Sequence, residues 1–266
     1  AVILSGLRFR ANFFNTNTGS AVQLTTAESV DPEMEQLNIP PVLYDAVDMH
    51  KGLVLVTGPT GSGKTTTIAS IINEINKTRK ANIITVEDPV EFIHKDKLSI
   101  ISQREVGKHT QSFSNSLRAA LREDPDIIFV GELRDLETIS LAMTAAETGH
   151  VVFGTLHTSG APETINRIIE VFPPEQQSQI KAQISNSVKM VLTQRLVKSK
   201  DGLNRFAAFE VMKCTPPIQN LIREGKVHQI PSVIQTSAKD GMIEMKKSLE
   251  DLIRAGKIDG TAAKEE

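Results

Sequence analysis

The stretch Gly58-Pro59-Thr60-Gly61-Ser62-Gly63-Lys64-Thr65 constrains this chain more than any other feature of its sequence. It follows directly on the apolar run 53–57, which reads as a strand, and apolar residues then recur with helical spacing from Ile68 to Ile75. A glycine-rich segment that leads from a strand into a helix and ends in Lys-Thr has the pattern of a phosphate-binding loop. The competing interpretation is a glycine-rich turn that fits by chance, and the flanking strand and helix argue against it.

The residue types of this segment suit a nucleoside triphosphate. Glycines let the backbone approach the phosphates and point its N–H groups at them. Lys64 supplies a positive charge for the terminal phosphates, the Thr65 hydroxyl is a direct ligand for Mg²⁺, and the positive end of the helix faces the same anion. The predicted nucleotide contacts are Gly58, Pro59, Thr60, Gly61, Ser62, Gly63, Lys64, Thr65 and Thr66.

Composition narrows the other classes of function. With 30 basic and 32 acidic residues among 266, the net charge of −2 gives no global field for nucleic acid or an anionic membrane. Cys214 is the only cysteine, which excludes a disulfide within the chain and a four-cysteine zinc site and fits a reducing cytosol. No apolar run approaches the roughly 20 residues of a membrane helix, so we expect membrane association only through a partner.

The N-terminal region predicts a separate unit. The chain begins at Ala1 without an initiator methionine, and we expect it to be a piece of something longer. Residues 7–15 alternate between apolar and polar, which predicts a half-buried strand that carries Arg8 and Arg10 side by side, with a returning strand over 21–25. The plain interpretation of the two arginines is a solvated strand face. Residues 26–41, rich in acidic residues and proline, predict a connector rather than core, and we place the domain boundary there.

Beyond the connector, apolar strands alternate with amphipathic helices. The strands are predicted at 53–57, 83–86, 127–130 and 151–156. This alternation indicates an α/β fold with a parallel sheet buried on both faces, in which ligands gather beyond the carboxyl ends of the strands.

Several further elements are predicted from caps and periodicity. A helix over 114–122 would take Ser114 as its N-cap, and a longer helix would run from 175 to 196. The remaining predictions are a strand over 205–211 and helices over 137–148, 217–224 and 242–255.

Carboxylates and a histidine follow these strands. Glu87 and Asp88 end one strand, Glu132 ends the next and His157 ends the last. Triphosphate hydrolysis needs a metal and a carboxylate that activates water, and Glu132 is the best candidate base.

Gly131 holds the position at which many phosphate-loop proteins carry an aspartate for the metal water. The outer shell of the metal would then be completed by Glu91 or by the Glu87-Asp88 pair, and spacing leaves that choice open. His157 could hydrogen-bond the γ-phosphate. Each residue taken alone could equally be a packed or capping residue.

With these motifs together, the chain resembles the secretion ATPase superfamily, and within it the retraction ATPases of type IV pili, the PilT group. The resemblance rests on the Walker A loop, an acidic box, an atypical Walker B segment and a histidine box, at 58–65, 84–91, 126–132 and 150–157. It covers almost the whole chain.

The resemblance implies a RecA-like ATPase domain over 42–266, a connector over 29–41 and, over 1–28, the end of a truncated PAS-like domain. It implies a hexameric ring that hydrolyses ATP with Mg²⁺ to power pilus retraction and twitching motility. The ring would lie in the cytoplasm, at the inner membrane of a bacterium, and act on a platform protein of the pilus base. The resemblance also implies that the protein has no nucleic-acid partner and does not insert into the membrane directly.

The resemblance also implies roles for individual residues. Glu132 would be the catalytic base, Glu91 would assist at the metal water, and His157 would sense the γ-phosphate. Glu87 is a further catalytic candidate, and both Glu91 and Glu132 would reach the metal through water. Arginines of the N-terminal domain approach the phosphates in this family, which makes Arg10, and beside it Arg8, candidates for that role.

This chain departs from the family pattern at two places. Leu24 stands where the second N-terminal arginine aligns, and the family's retraction motif appears, with two changes, at 217–224. Two alternatives therefore remain open: a related secretion or DNA-uptake motor, and a nucleotide-gated assembly protein with negligible turnover. A nucleic-acid translocase is less well supported, because the chain has no Trp and no visible basic, aromatic-lined track.

Overall fold

The computed structural model describes residues 2–4, 7–27 and 31–261, with side chains at residue 11, at 13–23 and from residue 31 onward. The N-terminal region forms a three-stranded antiparallel sheet of β1 (Val2–Leu4), β2 (Leu7–Thr16) and β3 (Gly19–Ala27). The predicted hairpin is therefore present. Whether it is the end of a PAS-like domain stays a prediction.

A seven-stranded sheet organises the rest of the chain. Its strands are β4 (Gly52–Thr57), β5 (Asn82–Glu87), β6 (Ile100–Glu105), β7 (Ile127–Val130), β8 (Val151–Leu156), β9 (Val188–Lys198) and β10 (Arg205–Lys213). They lie in the order β10-β9-β4-β8-β7-β5-β6, and every neighbouring pair is parallel except β9 with β10. The predicted α/β fold with a mostly parallel sheet is confirmed.

Nine α-helices surround this sheet within the residues that the structure describes. They are α1 (Tyr44–Val47), α2 (Lys64–Thr78), α3 (Phe113–Ala120), α4 (Leu136–Glu147), α5 (Ala161–Glu170), α6 (Gln177–Ser187), α7 (Pro216–Arg223), α8 (Ile230–Thr236) and α9 (Met245–Arg254). Across 2–4, 7–27 and 31–261, none is long and apolar enough to cross a bilayer.

Both faces of the sheet are buried, as the apolar strands predict. On β4, Leu53 and Leu55 belong to one apolar cluster, whereas Val54 and Val56 belong to the cluster on the opposite face. All four are fully buried, because successive side chains of a strand point to opposite faces and helices cover both. Strand β4 therefore holds the segment that follows it in a rigid frame.

The helix predicted over 175–196 is wrong in its second half. Helix α6 ends at Ser187, and Val188 begins β9, which is inserted between β4 and β10. The apolar residues that suggested helical spacing are buried by strands on both sides. A short buried apolar run fits either period, and here tertiary pairing decided.

Three smaller predictions also need correction. Strand β6 was not predicted, because at the sheet edge its second half is polar. Ser112, not Ser114, caps α3, with its hydroxyl accepting from the N–H of Asn115 at 3.1 Å. The connector does contribute to the core, since Met34 and Ile39 are buried in the cluster on the α2 face.

We predict that the connector stabilises the ATPase core. Met34→Ala should lower the free energy of unfolding by about 2–3 kcal/mol, because it removes a buried side chain and leaves a cavity. The exposed neighbour Glu35 is the control, and Glu35→Ala should change the free energy of unfolding by less than about 0.5 kcal/mol. Urea denaturation measures both. Equal effects of the two substitutions would contradict the packing of the connector.

Candidate active site at the carboxyl ends of the strands

The loop 58–65 joins the end of β4 to the start of α2. Its glycines Gly58, Gly61 and Gly63 have φ of 140°, 79° and 87°, in the region that glycine adopts without strain. Lys64 is the first residue of α2, so the unpaired N–H groups of the helix start and of the loop are gathered at one place. This is the geometry of an anion site.

Lys64 is held by the loop that it follows. Its Nζ donates to the carbonyl oxygens of Gly58 at 2.8 Å and Pro59 at 2.9 Å, and the residue is only 8% exposed. Burial lowers the pKa of Lys64, while the charges of Glu132 and Glu91 act in the opposite direction. The ammonium group is therefore partly desolvated, which strengthens its attraction for an anion.

The predicted carboxylates converge beside this lysine. One small cavity, of about 60 Å³, is lined by Thr65 at the start of α2, by residues that follow β5 and by residues that follow β7. These lining residues include Glu87, Asp88, Glu91, Gly131, Glu132 and Arg134. The parallel pairing of β5 with β7 explains the convergence, because both strands end at the same edge of the sheet.

Gly131 is favoured by the close packing between the two strand ends. A Cβ at this position would lie 3.1 Å from the carbonyl oxygen of Val86 and 3.2 Å from Cα of Glu87. The N–H of Gly131 donates to that same oxygen at 2.7 Å. A side chain here would require the end of β5 to shift by a few tenths of an ångström, which explains why the position holds glycine rather than an aspartate.

Glu132 has two basic partners. Its carboxylate oxygens lie 2.5 Å from the guanidinium of Arg134 and 3.4 Å from Nε2 of His157. Burial raises the pKa of Glu132, but Arg134 and His157 outweigh burial and the net direction is downward. Glu132 is therefore ionised at neutral pH, as a general base must be.

His157 connects the lysine and the glutamate. Its Nδ1 lies 3.5 Å from Nζ of Lys64, while Nε2 faces Glu132. The other histidine of the predicted histidine box, His150, lies directly before β8, and its Nδ1 is 3.0 Å from the carbonyl oxygen of Ala145. It is a structural residue and not part of the site.

Glu87 has the opposite electrostatic environment from Glu132. It is 5% exposed, and burial raises its pKa to about 7 against the hydrogen bonds that it accepts. Those bonds come from the Thr85 hydroxyl at 2.6 Å and from Nε2 of Gln103 at 3.2 Å. Two carboxylates in one cavity thus differ in proton affinity, which is the condition for separate roles.

A groove of about 1220 Å³ opens on the other side of the loop. It extends from Gly63, Thr66 and Thr67 along β9 and β10 to α9 and the connector residues 36–40. Its volume is as large as that of a typical small-molecule binding site.

Sequence reasoning missed several residues of this site. Arg134 could have been found from the sequence, because it stands only two residues after Glu132. Gln103 and Gln194 could not, because β6 and β9, which carry them, were not predicted as strands. The backbones of Arg8 and Arg10 lie in β2, but their side chains, like that of Leu24, lie outside the described residues.

The fold and the site define the class of the protein. The sheet is mostly parallel, a phosphate loop follows one of its central strands, and acidic residues follow adjacent strands. These features define a P-loop NTPase with a RecA-like core. Residues 9–230 match the family described as type II/IV secretion system protein, and the chain belongs to that family.

Similar proteins include named pilus proteins. The chain is 51% identical to the twitching motility protein of Neisseria gonorrhoeae, across 97% of this chain and 69% of that protein. It is 50% identical to the type IV pilus retraction ATPase PilT of Pseudomonas aeruginosa, across 97% of this chain and 75% of that protein. A crystal structure of the pilus retraction motor PilT with bound ADP matches with a TM-score of 0.88 at 47% identity, covering 96% of this chain and 72% of that one.

We predict that Glu87 makes stability pH-dependent. Because its pKa rises from 4.5 to about 7 on folding, the folded state holds a proton that the unfolded state has lost, and stability falls as pH increases through this window. Glu87→Gln removes this loss. Without added metal, the variant should match the wild type near pH 4.5 and exceed its free energy of unfolding by about 2–3 kcal/mol at pH 8. A difference that does not change with pH would contradict the assignment.

Proposed function

We propose that this chain is an ATPase motor that retracts type IV pili. The observation that carries the proposal is the connected group of Lys64, His157 and Glu132, in which a phosphate-loop lysine and an ionised glutamate meet at one sheet edge. The similarity to retraction ATPases of other bacteria supports the particular role.

The nucleotide would occupy the loop and the groove beside it. Residues 58–66 would receive the phosphates, with Lys64 turning from its carbonyl partners to the terminal phosphate. The buried Ser62 hydroxyl oxygen has no hydrogen-bond partner in the structure, which fits a group whose partner is a ligand. The groove on the far side of Gly63 and Thr66 would hold the nucleoside.

The donor set fits Mg²⁺ bound together with phosphate. Within the described ranges, no group of three His, Cys, Asp or Glu side chains could hold a metal ion by itself. Thr65 would be the direct protein ligand, with Glu91 and Glu132 acting through water, and Mg²⁺ would supply charge neutralisation of the phosphates.

The residues around the metal would then divide the work of hydrolysis. Glu132 would take the proton of the attacking water, and its low pKa keeps it unprotonated for that purpose. His157, between Glu132 and Lys64, would respond to the presence of the γ-phosphate. Glu87 would remain protonated over part of the physiological range and donate or accept a hydrogen bond beside Glu91.

The assembly would be a homohexameric ring in the cytoplasm, at the cytoplasmic face of the inner membrane. A platform protein of the pilus base would receive its motion. The region 1–28, as the end of a PAS-like domain, would contribute Arg10, with Arg8 beside it, to the phosphates, and the two domains would move about the connector 29–41. The departures at Leu24 and at 217–224 are where this chain would differ from other retraction ATPases.

We predict that Glu132→Gln abolishes ATP hydrolysis and retains nucleotide binding. Loss of the base should lower kcat by at least about 100-fold, because a positioned general base contributes about 10² to 10⁴ to the rate. Phosphate release measures the rate, and fluorescence titration with a labelled ADP measures binding. Glu137→Gln, an exposed glutamate on α4, is the control and should keep wild-type turnover. Unchanged turnover in Glu132→Gln would exclude the assigned base.

The role in pilus retraction is tested in the source bacterium. Deletion of the gene should abolish twitching and leave pili on the cell surface, and only the wild-type gene, not Glu132→Gln, should restore movement. Loss of secretion or of DNA uptake with normal twitching would favour the alternative motors. Full complementation by Glu132→Gln would favour a nucleotide-gated assembly protein.

A further inference from the structure

Strand β9 continues for five residues beyond its pairing with β4, and the first of them is Gln194. The last pair of the β4–β9 ladder joins Thr57 to Thr193, and their hydroxyl groups are 3.0 Å apart. On its other side, β9 pairs with β10, where Gln194 is opposite Phe209. Gln194 is therefore held by its pairing with β10, directly after the last β4–β9 pair, at the point where β4 leads into the phosphate loop.

The backbone of Gln194 lies directly against the first residue of the loop. A Cβ added to Gly58 would be 2.3 Å from the carbonyl oxygen of Gln194, a distance that no side chain can occupy. The close approach of β9 therefore requires glycine at this position, whether or not a phosphate is bound. The same backbone contact fixes the direction in which the chain leaves the sheet.

The side chain of Gln194 lies against the end of the loop. Its Nε2 would be 2.9 Å from a Cβ on Gly63, and its Oε1 accepts a hydrogen bond of 2.7 Å from the Thr67 hydroxyl. Both partners of that bond are almost fully buried, at 3% and 2% exposure. A buried hydrogen bond between uncharged groups is worth more than an exposed one, because the alternative is an unpaired polar atom.

We infer that Gln194 is a positioning residue on β9 that holds the phosphate loop in its binding conformation. Its carbonyl oxygen packs against the first glycine of the loop, and its side chain packs against the last glycine and accepts a hydrogen bond from the first turn of α2, so one residue constrains both ends of the loop. A loop with three glycines at positive φ has many alternative conformations, and tying its ends reduces the entropy lost when phosphate binds.

This inference rests on the proposed function, because it concerns how the nucleotide site is made ready. It assigns no chemical step to Gln194, whose amide has no role as acid or base. Thr67 and Gln194 also line the large groove beside the loop, where a buried polar pair is bonded to itself rather than to solvent. The pair orients the loop rather than adding to the core.

The experiment compares four substitutions in the full chain. Gln194→Leu keeps the approximate size and removes the amide; Thr67→Val removes the donor, and Thr67→Ser keeps it. Thr193→Val is the matched control, because it breaks a buried hydroxyl contact one residue earlier on the same strand and leaves both the backbone ladder and the hydrogen bond between Thr67 and Gln194 in place. Labelled ADP with Mg²⁺ is titrated by fluorescence, and hydrogen exchange of peptides covering 58–65 is followed without nucleotide.

Gln194→Leu and Thr67→Val should each weaken ADP binding about tenfold and speed exchange of the loop amides about tenfold. Thr67→Ser and Thr193→Val should stay within about twofold of the wild type in both measurements. The double variant Gln194→Leu, Thr67→Val should be no weaker than about the worse single variant, since both changes remove the same contact. If Gln194→Leu does not fold, the Val and Ser pair at Thr67 still decides the question.

Two results would overturn the inference: loop exchange and ADP affinity within twofold of wild type in Thr67→Val and Gln194→Leu, or an equal loss in Thr193→Val. Faster loop exchange in a chain whose wild type binds no ADP would support the anchoring and refute the nucleotide-binding function. The two proposals can therefore fail separately.

Discussion

The parallel ladders on either side of β4 are the constraint on which the rest of the site depends. Strand β4 pairs in parallel with β8 on one side and, after one register shift, with β9 on the other, so the chain leaves the sheet where β8 also ends and where the β4–β9 pairing stops. The phosphate loop, His157 and Gln194 reach the same place for this one reason. A phosphate loop attached to an isolated strand would have the same residues and no partners.

The ionisable residues that the sheet brings together have different electrostatic environments. Lys64 is buried among carbonyl oxygens, Glu132 is kept ionised by Arg134 and His157, and burial raises the pKa of Glu87 to about 7. One cavity thus contains an ionised carboxylate and a carboxyl group that titrates near neutral pH, and the buried ammonium group of Lys64 lies close to it. Their different proton affinities come from burial and partners, since two of these residues are the same amino acid.

The sequence allowed most of the fold and of the site to be predicted, and the failures share a cause. The apolar runs of β4, β5, β7 and β8 and the loop 58–65 were predicted because strand period, helix period and turn chemistry are local properties. The helix proposed over 175–196 failed because residues 188–196 have an apolar pattern that suits both helix and buried strand. Strand β6 and the burial of the connector were not predicted, because the residues with which they pair and pack are distant in the chain.

The sequence by itself determined that a triphosphate-binding loop joins a strand to a helix, that acidic residues and a histidine follow neighbouring strands, and that both sheet faces are buried. Only the tertiary structure decided that Arg134 pairs with Glu132, that Glu87 holds its proton to near neutral pH, and that Gln194 lies beneath the loop. The physical reason is that residue types and their spacing are encoded locally, whereas burial, close approach and charge pairing exist only when remote segments are packed together.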